Sequence, residues 1–450
     1  MEKDSGSQNR DKIRSAGVVG AGGGGFPTHV KYDARVDVVI ANGAECEPLV
    51  RVDQQLMATK PRDLLRGLEI AMQTTGASRG VIALKKKYTP AIEALQEALR
   101  LGNAGSKTEI HVLDDFYPAG DEFVVVRDVL GKVIPEFGLP LDVGAVVSNV
   151  STLIDVAQAV DSGRPVTHRH VTVGGDVKEP SSFNVPIGVP ASELIAAAGG
   201  SNVPDTRIIA GGPMMGSLLS DSQQPVTKTM SMLLVLPSGH PVVLRRERDA
   251  RRQIHLTRSA CLKCMLCTEI CPRNLLGHRL FPDRLMRNLA AGVAEDDDAF
   301  TGAYLCSECG LCAVYGCVMN LDPCAINREM KQRLSGAGLE RPKAEPQPVP
   351  RSDEHLRRVP SRRLIARLGV AEYDLPAPLR SFDVKPQKLF VPLSQHVGAP
   401  ARPVVQAGQK VSQGDLLGEI PDGALGARVH AGLTGVVSQV EDGRVTIEVE

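Results

Sequence analysis

Cys261-Leu-Lys-Cys264-Met-Leu-Cys267-Thr-Glu-Ile-Cys271-Pro272 and, further along, Cys306-Ser-Glu-Cys309-Gly-Leu-Cys312-Ala-Val-Tyr-Gly-Cys317 state one pattern twice. Three cysteines at three-residue intervals curl the backbone around a cubane so that three thiolates reach three irons, and a fourth cysteine closes the site. The pattern predicts two [4Fe–4S] clusters. In two-cluster bacterial ferredoxins the fourth cysteine, followed by proline as Cys271 is here, ligates the other cluster. The expected ligand sets therefore cross: Cys261, Cys264 and Cys267 with Cys317, and Cys306, Cys309 and Cys312 with Cys271. Zinc sites use paired ligands rather than such triplets, and nothing marks the chain as secreted and disulfide-bonded. The second copy has four residues between Cys312 and Cys317 and no following proline, which leaves Cys324 as a rival ligand. The spacing favours Cys317, with Cys324 packing as a small hydrophobe.

Around this stretch, composition narrows the possibilities. The 450 residues exceed one core and predict three or four domains. Lys+Arg and Asp+Glu are both 52, so no net field draws nucleic acid or an anionic membrane, and the chain has no tryptophan for base stacking. No apolar run reaches the roughly 20 residues that span a bilayer. The polar start Met1-Glu-Lys-Asp-Ser lacks the apolar segment of a signal peptide. A cytoplasmic protein is expected, and the crowding of nine of its ten cysteines between 261 and 324 suits metal binding in a reducing compartment.

Upstream, Gly20-Ala-Gly22-Gly-Gly-Gly25-Phe26-Pro27-Thr28-His-Val-Lys31 frees backbone N–H groups to approach a ligand and adds one cation, a combination that suits phosphate. It has no GK[ST] and no preceding strand, so neither a Walker nor a Rossmann loop is expected. The apolar run Val36–Ala41 predicts a buried strand delivering Asn42-Gly-Ala-Glu45-Cys-Glu47-Pro48 to its carboxyl end, where ligands sit in open α/β sheets. Helical spacing over 61–76 and 90–100 alternates with strands at 80–84, 109–113 and 145–147, predicting a parallel sheet. Tyr117-Pro-Ala-Gly120-Asp121-Glu122 and Ser148-Asn149 follow two of these strands and should meet Asn42 and Glu45 at one rim.

After residue 166 the pattern becomes a hairpin, a helix and further strands, a small α+β domain in which Met214 and Met215 are expected in the core. Residues 336–384, rich in Pro and Arg, read as a linker with one helix, Ser361–Leu368, whose arginines form a solvated face. Residues 385–450 alternate short strands with glycine turns and resemble a barrel-sandwich module of the biotinyl/lipoyl type; no lysine stands between Leu417 and Val429 to carry a prosthetic group.

Through the glycine loop, the two acidic turns and Ser148-Asn149, the N-terminal half resembles the NADH-binding flavoprotein subunit of respiratory complex I. The whole chain is similar to the RnfC component of Rnf electron-transport complexes. It is more similar still to the PduS-type cobalamin reductases of propanediol-utilisation microcompartments, because the barrel-sandwich module follows the clusters and four residues precede Cys317. The resemblance implies a multidomain α/β protein: an FMN/NADH-binding α/β domain (1–165), an SLBB domain of β-grasp fold (166–245), a two-[4Fe–4S] ferredoxin-like α domain (250–335), a linker (336–384) and an all-β barrel-sandwich domain (385–450). It implies FMN held by Gly20, Gly22, Lys31, Asn42 and Glu45, with Phe26, Glu47, Glu122 and Asn149 beside the flavin and nicotinamide. Ala44, Asp121 and Ser148 depart from the complex I pattern of Asp, Glu and Asn, which bears on flavin affinity. The implied activity is electron transfer from NADH through FMN and both clusters to cobalamin, with an adenosyltransferase and a shell protein as partners inside a microcompartment. The alternatives are an Rnf-like subunit serving a membrane complex and a ferredoxin-type carrier whose first domain is scaffold.

Overall fold

The computed structural model describes residues 2–102, 107–293, 295–342 and 348–450; of residues 2–4 it describes the backbone. Four parallel strands form the first sheet, in the order Thr108–Leu113, Arg79–Lys85, Val38–Gly43, Ala145–Asn149. Their near-continuous apolar sequence reflects burial on both faces. Val39, Ala41, Ile82, Leu84 and Val146 pack against the helices Pro61–Thr75 and Val150–Ser162, and the alternate residues Val38, Ile40, Val81, Ala83 and Val147 pack against Val125 and Val126 of the helix Glu122–Leu130. Gly76, Gly131 and Gly163 end three of these helices in the left-handed conformation that glycine adopts without penalty.

The second sheet has six strands, in the order Leu379–Arg380, Ser181–Pro186, His168–Gly175, Met232–Pro237, Thr206–Ala210, Ser217–Leu218. His168–Gly175 and Ser181–Pro186 form the expected hairpin, and Met232–Pro237 runs parallel to the first of them. Residues 385–450 fold into two small antiparallel sheets, the strand Lys388–Pro392 pairing with Arg444–Val449.

The stretch read as a linker does more than connect. Val359–Pro360 pairs with Phe116–Tyr117 of the first domain, and Leu379–Arg380 adds an edge strand to the second sheet. Between them the helix Ser361–Leu368 buries Leu364, Ile365 and Leu368 while Arg362, Arg363 and Arg367 face solvent, as its pattern predicts. Residues 343–347 of this stretch lie outside the described residues. Among the described residues, no helix is long and apolar enough to cross a membrane.

In the cluster domain the two cysteine triplets adopt one backbone shape. Lys263 and Met265 flank Cys264 with φ of 55° and 62°, and Glu308 and Gly310 flank Cys309 with φ of 60° and 77°. Three of these four are not glycine, so each holds a conformation that side chains rarely take. The same departures at the same offsets mark both loops as wrapped on the same kind of object. The extra residue after Cys312 is absorbed by a π-turn over Cys312–Gly316, the usual fate of a single-residue insertion in a helix.

Candidate functional site

The carboxyl ends of the first sheet open into a cavity of about 380 Å³. Gly20, Gly22, Phe26, Lys31, Asn42, Glu45, Glu47, Glu122 and Asn149 all line it, so the structure gathers every non-cysteine residue singled out from the sequence. The volume lies in the roughly 300–1,000 Å³ range of small-molecule pockets.

Each wall is fixed by hydrogen bonds. The glycine loop is held where Ala21 N donates to Thr152 Oγ1 at 2.8 Å and the buried Arg169 guanidinium donates to the Ala21 carbonyl. Asn42 Nδ2 donates to the Gly120 carbonyl at 2.9 Å, tying one acidic turn to the other. Asn149 Nδ2 and Ser151 Oγ donate to the two oxygens of Asp53, at 2.6 and 3.0 Å. Glu45, itself at a φ of 36°, accepts from Asp53 N and Gln54 Nε2. Burial, then the neighbouring Asp53 charge, pushes its carboxyl up to about 7. Burial likewise raises Asp53 and Glu47 above the ordinary carboxylate range.

The second domain supplies the opposite wall. Met214 N and Met215 N both donate to Glu47 Oε1, at 2.5 and 2.9 Å. This approach requires glycine at 212, where a Cβ would stand 2.1 Å from Glu47 Cγ. Met214 is buried as expected, but Met215 is 55 % exposed and lines the cavity, because its amide, not its side chain, is the group the contact uses. Glu47 Oε2 is buried and has no protein partner. An orphaned carboxylate oxygen on a residue of the lining, glycines at 23 and 24 with open space where side chains would be, and a lysine in the lining together fit a phosphate-bearing ring ligand such as FMN. Lys31 Nζ meanwhile pairs with Glu122 at 2.9 Å.

Asp53, Arg169 and Thr152 escaped the sequence reading: all three serve as supports reached from distant strands and helices, a relation that no local motif announces. A larger, more polar cavity of about 600 Å³ behind Arg169, lined by Lys60, Asp155 and His170, includes neither the glycine loop nor a cysteine of the triplets.

The cavity reaches the cluster domain directly. Ser307 and Cys309 form part of its lining, and Tyr117 Oη donates to the Cys309 carbonyl at 2.8 Å. Behind Cys309, Cys271, Cys306, Cys309 and Cys312 ring a small enclosed space, and Cys324 shares it. Cys261, Cys264 and Cys317 are the thiols whose charges act on Cys267. Cys271 thus lies among the second triplet and Cys317 near the first, with Cys324 beside the second. Among the described residues no three His, Cys, Asp or Glu side chains converge on a single-ion site; the thiols of the second set surround a small space. Backbone N–H groups of Glu308 and Leu321 point at the Cys306 and Cys317 sulfurs at 3.4 and 3.3 Å, donors that suit the negative charge of cluster thiolates.

An FMN-type cavity abutting a two-cluster domain, with an SLBB wall and a barrel-sandwich module, defines a flavo-iron–sulfur oxidoreductase. Family models agree: residues 13–158 match the Nuo51 FMN-binding domain, 170–217 the SLBB domain, 260–322 the 4Fe-4S dicluster domain and 377–449 the RnfC barrel sandwich hybrid domain. The chain is 42 % identical over 440 residues to cobalamin reductase PduS of Citrobacter freundii, covering 97 % of this chain and 96 % of that one. It is 43 % identical over the same span to cobalamin reductase PduS of Salmonella typhimurium. A component of the Na(+)-translocating ferredoxin:NAD(+) oxidoreductase complex of Acetobacterium woodii is 36 % identical over 268 residues, 58 % of this chain and 57 % of its own. The chain belongs to the PduS family of cobalamin reductases.

Proposed function

We propose that this protein reduces the cobalt of a corrinoid with electrons from NADH, within a propanediol-utilisation microcompartment and beside an adenosyltransferase and a shell protein. The observation that carries the reading is the shared wall: Cys309, a residue of the second triplet, lines the FMN-type cavity, so donor and relay sites touch. FMN supplies the exchange between a hydride pair and single electrons, and the clusters carry single electrons. The chain's residues supply the rest. Gly20 and Gly22 let the backbone approach the phosphate, Lys31 offers it a charge by releasing Glu122, and Asn42 and Glu45 hold the ribityl side. Phe26, 37 % exposed, offers a face for the nicotinamide, and Asn149 lines the same cavity. Glu47 is the carboxyl that holds or releases a proton there, and Glu122 stands beside the flavin and nicotinamide next to Lys31. Cys261, Cys264, Cys267 and Cys317 ligate one cluster, and Cys306, Cys309, Cys312 and Cys271 the other.

The near full-length match to two proteins named cobalamin reductase supports the acceptor. No histidine lies in a DxHxxG motif, so electrons reach cobalt by close approach rather than through an axial protein ligand. The test is Gly22→Val, which puts a branched side chain beside Asn149, against which even a Cβ would stand at 3.4 Å. The variant should keep its iron, lose its flavin and lose NADH-driven reduction of cob(III)alamin. Full flavin occupancy in the variant would remove the site from the glycine loop, and cobalt reduction without flavin would remove flavin from the reaction.

A further inference from the structure

The cavity of about 600 Å³ behind Arg169 is larger than the flavin cavity, and no step of the proposed reaction uses it. Three domains contribute to its lining. The helix Val150–Ser162 supplies Asp155, the strand His168–Gly175 supplies His168, Arg169 and His170, and a turn of the last domain supplies Gln413. Its charges are one-sided: Lys60, Arg164 and Arg169 stand against a single carboxyl, Asp155. Neither Lys60 nor Arg164 has an ion-pair partner among the described residues. Arg169 is only 4 % exposed, and its Nε and one terminal nitrogen donate to the Met230 and Ala21 carbonyls, which engages two of its three nitrogens. Burial pushes the Asp155 carboxyl up to about 6 in spite of the nearby Arg169, Lys228 and Lys60 charges. Burial also lowers both imidazoles, His170 to about 3 with help from Lys60, so His168 and His170 add hydrogen-bonding nitrogens rather than charge. A buried guanidinium with a third nitrogen to offer, two unpaired cations and neutral donors make a lining for an oxyanion. The terminal oxygens of a phosphate use more of these donors than the two of a carboxylate, and the volume admits a molecule of nucleotide size.

We propose that this cavity binds a small phosphate-bearing molecule through Lys60, Arg164 and Arg169, and that its occupant weakens flavin binding through Arg169. Arg169 lines both cavities and holds the glycine loop at the Ala21 carbonyl. An anion on its third nitrogen offsets the positive potential that a flavin phosphate meets on the other side. Such coupling is reciprocal, so bound flavin weakens the anion by the same factor. The coupling rests on the flavin site of the preceding sections, whereas the anion site stands without it.

The test is calorimetric titration of the full-length protein, loaded with iron and flavin, with inorganic phosphate and with ADP against chloride of matched ionic strength. The parent should bind phosphate saturably at one site. The double variant Lys60→Met, Arg164→Met should keep the parent's iron and flavin and bind about tenfold or more weakly. ADP bound more tightly than phosphate, and lost in the same variant, assigns the site to a nucleotide; equal affinities assign it to free phosphate. If the double variant does not fold, Gln413→Glu decides, since a negative charge added at that exposed position must weaken the same binding. No saturable binding by the parent overturns the site, and so does undiminished binding by the variants. For the coupling, flavin-free protein is titrated with FMN: saturating phosphate should weaken FMN by roughly fivefold or more in the parent and not in the double variant. Equal FMN affinity with and without phosphate overturns the coupling alone. No FMN binding under either condition would overturn the flavin site and the coupling with it, and leave the anion site standing.

Discussion

Glu45 and Asp53 are two buried carboxyls joined through one backbone amide, and their proximity makes the flavin-free protein sensitive to pH. Burial and the Asp53 charge place the Glu45 carboxyl at about 7, above its ordinary 4.5. Between those values the folded state binds more protons than the unfolded state, so this contribution to stability is present at low pH and is lost as pH rises through 7. The flavin-free protein should therefore melt a few degrees lower at pH 7.5 than at pH 5, by roughly 2–4 °C per kcal/mol. Glu45→Gln should flatten that dependence; an equal slope in the variant would assign it to other groups. Asp121, where the sequence departs from the complex I pattern, is explained by a different job. Its carboxylate caps the helix Glu122–Leu130 through Phe123 N and pairs with Arg273 of the cluster domain.

Among the elements, the π-turn Cys312–Gly316 shows what spacing alone conveys and what it does not. The triplets, the strands of the first sheet and the rim on which Asn42, Glu45 and Asn149 meet are legible because each repeats a local rule of period or spacing. The extra residue before Cys317 reads locally as an anomaly; the turn that absorbs it exists because Gly316 lies against the first triplet, where a Cβ would stand 3.1 Å from Cys267 Cα and 3.3 Å from the Leu266 carbonyl. Gly316→Val should push the two motifs apart and lower iron content by about half, with flavin retained; full iron in that variant would show that the approach is dispensable. Residues 336–384 are open to misreading for a similar reason. Composition shows their prolines and arginines, but the two-residue pairings of Val359–Pro360 and Leu379–Arg380 depend on partners more than 190 residues away and are too short to leave a period.

At the scale of the molecule, the flavin domain and the cluster domain are joined by buried polar contacts rather than by a tether. Arg273 and Asp121 pair with side-chain exposures of 8 % and 10 %, Arg273 also stacks 3.7 Å from the Phe123 ring centre, and His278 meets the Ile134 carbonyl at 2.9 Å. Lys228 Nζ, fully buried, donates to the Gly17 and Arg428 carbonyls and so joins the first, second and last domains. Removing one partner of a buried pair costs about 3–5 kcal/mol, because the other charge is left uncompensated. Arg273→Ala should leave flavin binding and flavin reduction by NADH close to the parent's, yet slow cluster reduction at least tenfold; equal rates would mean that this contact does not set the distance between the two sites.

The path proposed for the electrons, from the cavity at Gly22 and Glu45 through the cysteine-held clusters to cobalt, is tested most directly by anaerobic stopped-flow spectroscopy with NADH and cob(III)alamin. In the parent protein, flavin absorbance should bleach first and iron–sulfur absorbance next, the latter recovering as the cobalt is reduced. In Cys306→Ser the flavin should bleach at the parent's rate while cobalt reduction slows at least tenfold. Cobalt reduced by Cys306→Ser as fast as by the parent would contradict the account, since the flavin would then act on the corrinoid directly and the cluster beside it would stand off the path.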